Sequence, residues 1–99
     1  MRPGPRDIKV KMLIAGEELT ELQRHTWQMA EAFGLDSRIE RYQGKRPIGL
    51  WRWDMDCLVA VVATALDDPT EYASKDSSGW VALRRLYERL QAAYRSTYD

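Results

Sequence analysis

The side chains that most often carry out chemistry are few in this 99-residue chain. Asp54 and Asp56 come nearest to a site, because two carboxylates close in sequence suit a hard cation such as Mg²⁺. An aspartate at a helix start, however, accepts backbone N–H bonds, and side chains two residues apart on a helix point to different faces. We therefore favour a helix start for this pair and predict no metal.

Nucleophilic and acid–base chemistry has equally little support. His25 is the single histidine and Cys57 the single cysteine, which excludes an internal disulfide and a multi-cysteine zinc site. The aspartates before Cys57 disfavour a thiolate there. The sequence contains no phosphate-binding loop and no nucleophile–base motif. It favours a binding protein over an enzyme, and we predict no catalytic residue and no cofactor.

A basic segment with interleaved aromatic residues gives a candidate binding surface. Residues 38–52 hold five basic residues against one acidic residue. Arginines on phosphates and tryptophans stacked on bases are the usual means of holding single-stranded nucleic acid. The alternative, which we favour, is that Trp51 and Trp53 share one strand face and cover the core. The candidate interaction residues here are Arg38, Arg41, Lys45, Arg46, Trp51 and Arg52.

A second candidate surface is a row of aromatic residues near the end of the chain. Trp80, Tyr87 and Tyr94 repeat every seven residues, so they share one face of a helix. Such a face either packs into the core or forms a helix–helix seam between two copies, since phenol groups tolerate partial exposure. The sequence leaves both alternatives open.

The overall charge is zero, from 15 basic and 15 acidic residues. A general polyanion binder usually carries a basic excess. The charges nevertheless alternate in blocks along the chain, and faces of opposite sign favour self-association or an oppositely charged partner. We predict a non-enzymatic protein–protein interaction or regulatory module that acts as a homodimer, with single-stranded nucleic-acid binding through 38–53 as the alternative.

The first half of the chain is predicted to hold three strands and one helix. Apolar and polar residues alternate over 8–15, which predicts a strand. A stripe of mostly apolar residues from Leu19 to Phe33 predicts a helix that Gly34 ends. Residues 37–43 and 48–53 are predicted as strands of a hairpin joined at 44–47, where Gly44 takes a positive φ.

The second half is predicted to be helical. The apolar stretch 57–66 fits either a helix over 54–67 or a buried strand, and its length and its flanking aspartates favour the helix. At ten residues it is too short to cross a bilayer, which needs about twenty. After a polar connection over 69–79, Ser77 or Ser78 caps a last helix that ends near Ser96.

These elements predict an α+β fold of order β-α-β-β-α-α, with a three-stranded sheet and helices mainly on one face. We predict a flexible N-terminal arm over 1–7 and a single domain over 8–99. The sheet would expose unpaired edges, which pairing with a second copy would cover. The absence of a signal-peptide pattern predicts a cytoplasmic protein without membrane association.

Overall fold

The computed structural model describes residues 9–29 and 34–98, so the arm predicted over 1–7 lies outside the described residues. The described chain is a mixed helix and strand structure, as the α+β prediction requires. Its elements in chain order are β1 (Val10–Met12), α1 (Gly16–Gln23), a 3₁₀ helix (Thr26–Met29), α2 (Leu35–Arg41), β2 (Ile48–Leu50), α3 (Arg52–Leu66) and α4 (Ser78–Tyr98).

The sheet of the described chain has two strands, and the prediction of three was wrong. Residues 37–43, predicted as a strand, fall mostly in α2. Leu35 and Ile39 are both fully buried, and their spacing of four places them on one helix face. The two strands are antiparallel and pair Val10 with Leu50, Lys11 with Gly49, and Met12 with Ile48.

The first helix is shorter than predicted. It ends at Gln23, and the predicted extension to Phe33 enters 30–33, which lie outside the described residues. The buried Thr26 starts the 3₁₀ helix, and its single hydroxyl hydrogen is shared between the Gln23 carbonyl oxygen at 3.3 Å and Glu40 Oε1 at 2.9 Å. A threonine hydroxyl that bonds a nearby carbonyl competes with the regular helical ladder, which explains the early end.

The helix predicted over 54–67 is confirmed as α3, and the buried-strand alternative was wrong. Leu58, Val62 and Ala65 lie in the core, which fits the helical spacing. The helix starts earlier than predicted, because Trp51 is the residue before its first turn and donates its N–H to Asp54 Oδ2 at 3.0 Å. Asp54 therefore supports the helix start from its third position.

The last helix packs the fold together. Ser77 caps α4 as predicted, since its Oγ accepts the Trp80 N–H at 3.3 Å. α4 packs against both α3 and α1, and its residues Leu83, Leu86 and Leu90 are fully buried. No helix in the described part of the chain has the length and apolar character needed to span a membrane.

Candidate functional site

One surface of the molecule gathers cations around Tyr42, and we call it the basic face. Its cations are Lys9, Arg41, Lys45 and Arg46, which line two adjoining clefts. No carboxylate of residues 9–29 or 34–98 lines either cleft. Within those same ranges none of the four cations forms a salt bridge. The face therefore carries positive charge that the described chain does not neutralise.

Hydrogen bonds and close packing tie the loop between α2 and β2, which carries Lys45 and Arg46, to the rest of the fold. The Tyr42 hydroxyl donates to the Arg46 carbonyl at 2.5 Å and accepts the Ile14 N–H at 3.3 Å. Gly44 takes a φ of 72°, as predicted, and its backbone lies so close to Ile14 that a Cβ would stand 3.1 Å from the Ile14 carbonyl oxygen. A larger residue at Gly44 would meet both backbone strain and crowding.

A tryptophan pair stands next to the basic face through Lys9. The Lys9 side chain crosses Gly49, where any Cβ would collide with its stem. Its Nζ then lies 5.8 Å from the ring centroid of Trp51, within the range of a cation–π contact. The rings of Trp51 and Trp53 stack with centroids 5.6 Å apart and 19° between planes, and both residues are half-buried. Arg52 is exposed between them.

Trp51 and Trp53 were predicted to share one face of a strand, and that prediction was wrong. The second hairpin strand, predicted over 48–53, ends at Leu50, so Trp53 belongs to α3 rather than to a shared strand face. The two rings meet because the chain turns from strand to helix at Trp51. Their half-buried position leaves part of each ring accessible beside Lys9.

Arg38 lines the same cleft but is engaged in the fold. Its Nη1 donates to Asp54 Oδ2 at 3.0 Å, and its Nη2 donates to the Gly49 carbonyl. The Asp54 side chain is 1% exposed, and its Oδ1 has no hydrogen-bond partner within the described residues. A buried carboxylate needs its cation, so Arg38 holds α2, β2 and α3 together at the edge of the basic face.

The aromatic row of α4 packs against the buried apolar residues of the core. Trp80, Tyr87 and Tyr94 are all half-buried there. The Trp80 Nε1 donates to the Leu66 carbonyl at 3.1 Å, and the Tyr87 hydroxyl accepts from the Gln91 amide at 2.8 Å. These contacts favour the core alternative for most of the row, while the seam between two copies stays a prediction.

The aspartate pair separates as its spacing implies. Asp54 is buried and Asp56 is exposed, where it lines a cleft of about 260 Å³ with Val59, Tyr94 and Arg95. Small-molecule pockets usually hold about 300–1,000 Å³, so this cleft is small for one. In the part of the chain that the structure describes, no three histidine, cysteine, aspartate or glutamate side chains come together as metal ligands.

A further polar cluster is centred on the buried side chains of His25 and Tyr72, and no sequence motif indicates it. His25 Nε2 lies 3.1 Å from the Tyr72 hydroxyl, which donates to Glu21 Oε1 at 2.6 Å. Arg24 donates to the same Glu21 oxygen at 2.7 Å and to Glu71 Oε2 at 3.2 Å. Tyr72 is 47 and 51 residues from its partners, so no local motif could have revealed the cluster.

Burial is the largest cause of the pKa shifts of His25, Tyr72 and Cys57. It lowers the pKa of His25, mainly by desolvation of the imidazolium, and it raises the pKa of Tyr72, with a further contribution from the Glu21 carboxylate. Burial followed by the charge of Asp54 raises the pKa of the Cys57 thiol. Cys57 is half-buried and remains a thiol at neutral pH, which disfavours its use as a nucleophile.

Comparisons with protein-family models, with curated proteins and with solved structures found no match. The function of this chain is therefore inferred from its own geometry.

Proposed function

We propose that this chain is a binding module that holds single-stranded nucleic acid on its basic face. The observation that carries the proposal is the lining of two adjoining clefts by Lys9, Arg41, Lys45 and Arg46, with no carboxylate of the described residues among the lining groups. Cations without an intramolecular counterion are the groups that phosphates can engage with the least rearrangement.

The tryptophan pair supports the single-stranded form of the ligand. Lys9 connects the basic face to Trp51, and the stack of Trp51 on Trp53 offers half-buried rings rather than fully buried ones. Unpaired bases stack on such rings with little sequence preference, whereas the bases of a duplex are already stacked on each other. Phosphates on the cations and bases beside the tryptophans would thus share one ligand.

The zero net charge of the chain is compatible with this proposal. Residues 54–76 contain six acidic residues against one basic residue, and none of the six lines the two clefts. A local positive field can guide an anionic ligand even where the total charge is zero. The expected affinity is modest and strongly dependent on salt.

Fluorescence anisotropy with labelled oligo(dT) and oligo(rU) of about 15 nucleotides tests the proposal. Four phosphate contacts predict a slope of about −3 for the logarithm of the association constant against that of the salt concentration. The Arg41→Ala/Arg46→Ala variant should halve that slope, to about −1.5. The matched control, Arg85→Ala/Arg95→Ala, removes the same charge from α4 and should leave the slope unchanged.

Three results would overturn the proposal. The first is no salt-dependent binding of either oligonucleotide. The second is an equal loss of affinity in the variant and in its control, which would indicate an effect of total charge. The third is displacement of the oligonucleotide by acidic peptides at equal charge concentration, which would favour an acidic protein partner.

As a second candidate function we propose the homodimeric interaction module. Leu13 and Val81 are the exposed large hydrophobic residues of the described chain, at 46% and 44% exposure. Val81 lines a cleft whose charged groups are of both signs, Glu17 and Glu18 on α1 and Arg85 on α4. Such a surface can pair with its own copy, since each sign meets the other across a two-fold axis.

Sedimentation velocity at micromolar concentration tests the homodimer. We expect a dimer that Val81→Glu converts to a monomer, and a wild-type monomer at all concentrations would reject this candidate. For either function we propose a cytoplasmic location, with which a single unpaired cysteine is compatible.

A further inference from the structure

The segment 67–77 connects α3 to α4 and is held to the rest of the fold at one place. Within 67–77, all of which the structure describes, Tyr72 alone is buried. The segment has its own turn, in which the N–H groups of Glu71 and Tyr72 both lie 3.1 Å from the Asp68 carbonyl. Glu71 and Tyr72 also bond to the side chains at the end of α1. Short turns are weak without a tertiary anchor, so these contacts keep the segment in place.

The distances around Tyr72 define the direction of each hydrogen bond. A tyrosine hydroxyl has one hydrogen, and the 2.6 Å contact with Glu21 Oε1 takes it, because a carboxylate only accepts. At 3.1 Å from the same hydroxyl oxygen, His25 Nε2 must then donate. Neutral His25 therefore carries its proton on Nε2. Its Nδ1 is left with a lone pair, buried and without a hydrogen-bond partner within the described residues.

Protonation of His25 would disturb this arrangement. It would place a second N–H group at the buried Nδ1, where the described chain offers no acceptor, and a positive charge on a fully buried ring. The carboxylates of Glu71, Glu21 and Asp68 favour that charge, and Arg24 opposes it. Burial outweighs the carboxylates, and the neutral Tyr72 is the remaining polar neighbour.

We propose that His25 and Tyr72 form a pH-sensitive latch that holds the segment 67–77 against α1 and releases it when His25 is protonated. In the closed state Tyr72 lies between His25 and Glu21. In the open state Tyr72 leaves, water reaches the imidazolium, and the exposed Arg24–Glu71 pair is too weak an anchor to keep the turn closed. This inference does not depend on the proposed nucleic-acid binding.

Hydrogen exchange of the full chain, followed by mass spectrometry at pH 7.5 and pH 5.0 and corrected for intrinsic rates, tests the latch. We expect protection of peptides within 67–77 to fall at pH 5.0, by up to about tenfold for each unit by which the pKa of His25 differs between the closed and open states. Peptides from the middle of α3 should keep their protection. Parallel loss in α3 would indicate global unfolding and would overturn the proposal.

Two variants separate the latch from a general effect of acid. His25→Gln keeps an N–H donor for the Tyr72 hydroxyl but does not titrate, so protection of 67–77 should persist at pH 5.0. Tyr72→Phe removes the hydroxyl, and protection should be low at both pH values. A pH response in His25→Gln equal to that of the wild type, or full protection in Tyr72→Phe, would reject the latch.

The histidine can also be observed directly. Because His25 is the only histidine, its imidazole proton NMR signal is assigned without ambiguity. The midpoint of its titration should lie below the ordinary histidine value and should coincide with the midpoint of the exchange response. A separation of the two midpoints would show that another group controls the segment.

Discussion

Arg38 and Arg24 both form ion pairs with carboxylates, and the surroundings of these pairs differ. Arg38 bonds Asp54, whose side chain is 1% exposed, and the Gly49 carbonyl beside it. Arg24 bonds Glu21, 13% exposed, and Glu71, 29% exposed. The first pair lies at the junction of three elements, whereas the second lies over a cluster of neutral polar groups. We therefore expect the ion pair of Arg38 to contribute more to the stability of the fold than those of Arg24, because the loss of a cation costs most where water cannot replace it.

The largest expected effect comes from Arg38→Met. This change leaves the Asp54 carboxylate buried without a cation, and we expect the free energy of unfolding to fall by about 3 kcal/mol, the low end for broken buried pairs, since the guanidinium is partly exposed. Urea denaturation measures it. Arg41→Met, an exposed cation on the same helix, is the control and should change stability by less than about 0.5 kcal/mol. An equal loss of stability in Arg38→Met and Arg41→Met would show that the buried ion pair of Arg38 has no special role in the fold.

Tyr72→Phe should have the next largest effect. It removes the hydroxyl that joins Glu21 to His25 and leaves the buried His25 Nε2–H without its acceptor, at a cost of about 1–2 kcal/mol. Tyr87→Phe is the matched control, because its hydroxyl bonds the half-buried Gln91, and it should cost less. Thermal and urea unfolding of both variants give the comparison, and a larger loss in Tyr87→Phe would contradict it.

The stability of the wild type should depend on pH through His25. Because burial lowers its pKa in the folded state, the unfolded chain binds the proton first as the pH falls below about 6.5. The contribution of His25 to the free energy of unfolding is complete above that pH. It is lost as the pH falls toward the lower pKa of the folded state, at no more than about 1.4 kcal/mol per pH unit. The difference in the free energy of unfolding between wild type and His25→Gln, measured against pH, separates the effect of His25 from that of the carboxylates. An identical pH profile for the two proteins would contradict the prediction.

The smallest effect is expected for Arg24→Met. Arg24 is 48% exposed, and water and salt screen its two ion pairs, so we expect a loss of less than about 1 kcal/mol. The loss should shrink further in 1 M NaCl, where the Debye length is about 3 Å. Arg38→Met should keep most of its effect in the same salt. A salt-insensitive loss at Arg24 would show that the second region resembles the first.

The elements that the sequence predicted well are those with a dense local signal. The apolar run of α3, the stripe of α4 and the cap at Ser77 each depend on neighbours within one or two helical turns. The segment 37–43 misled the prediction, because its charged residues leave only Ile39 and Tyr42 to show a period. Leu35, which shares the buried face of α2 with Ile39, lies just before the segment 37–43.

The candidate site was predictable to the same extent. The basic residues Arg41, Lys45 and Arg46 lie close in sequence and come together on one surface. The contribution of Lys9 depends on the register of β1 and β2, and the engagement of Arg38 depends on Asp54, 16 residues away. Tyr72 escaped notice for the same reason, since its partners are distant in the chain. Tertiary contacts of this kind have no periodic or compositional signature.

The direct junction of β2 with α3 has a practical use. Trp51 alone separates the two elements, so the chain passes from strand to helix within one residue. The indole of Trp51 is stacked on Trp53 at that junction, and the ammonium of Lys9 lies 5.8 Å from its ring centroid. The chain thus has an intrinsic optical probe at the junction of β2 and α3, and the emission spectrum of these rings would register occupancy of the neighbouring surface without any attached dye.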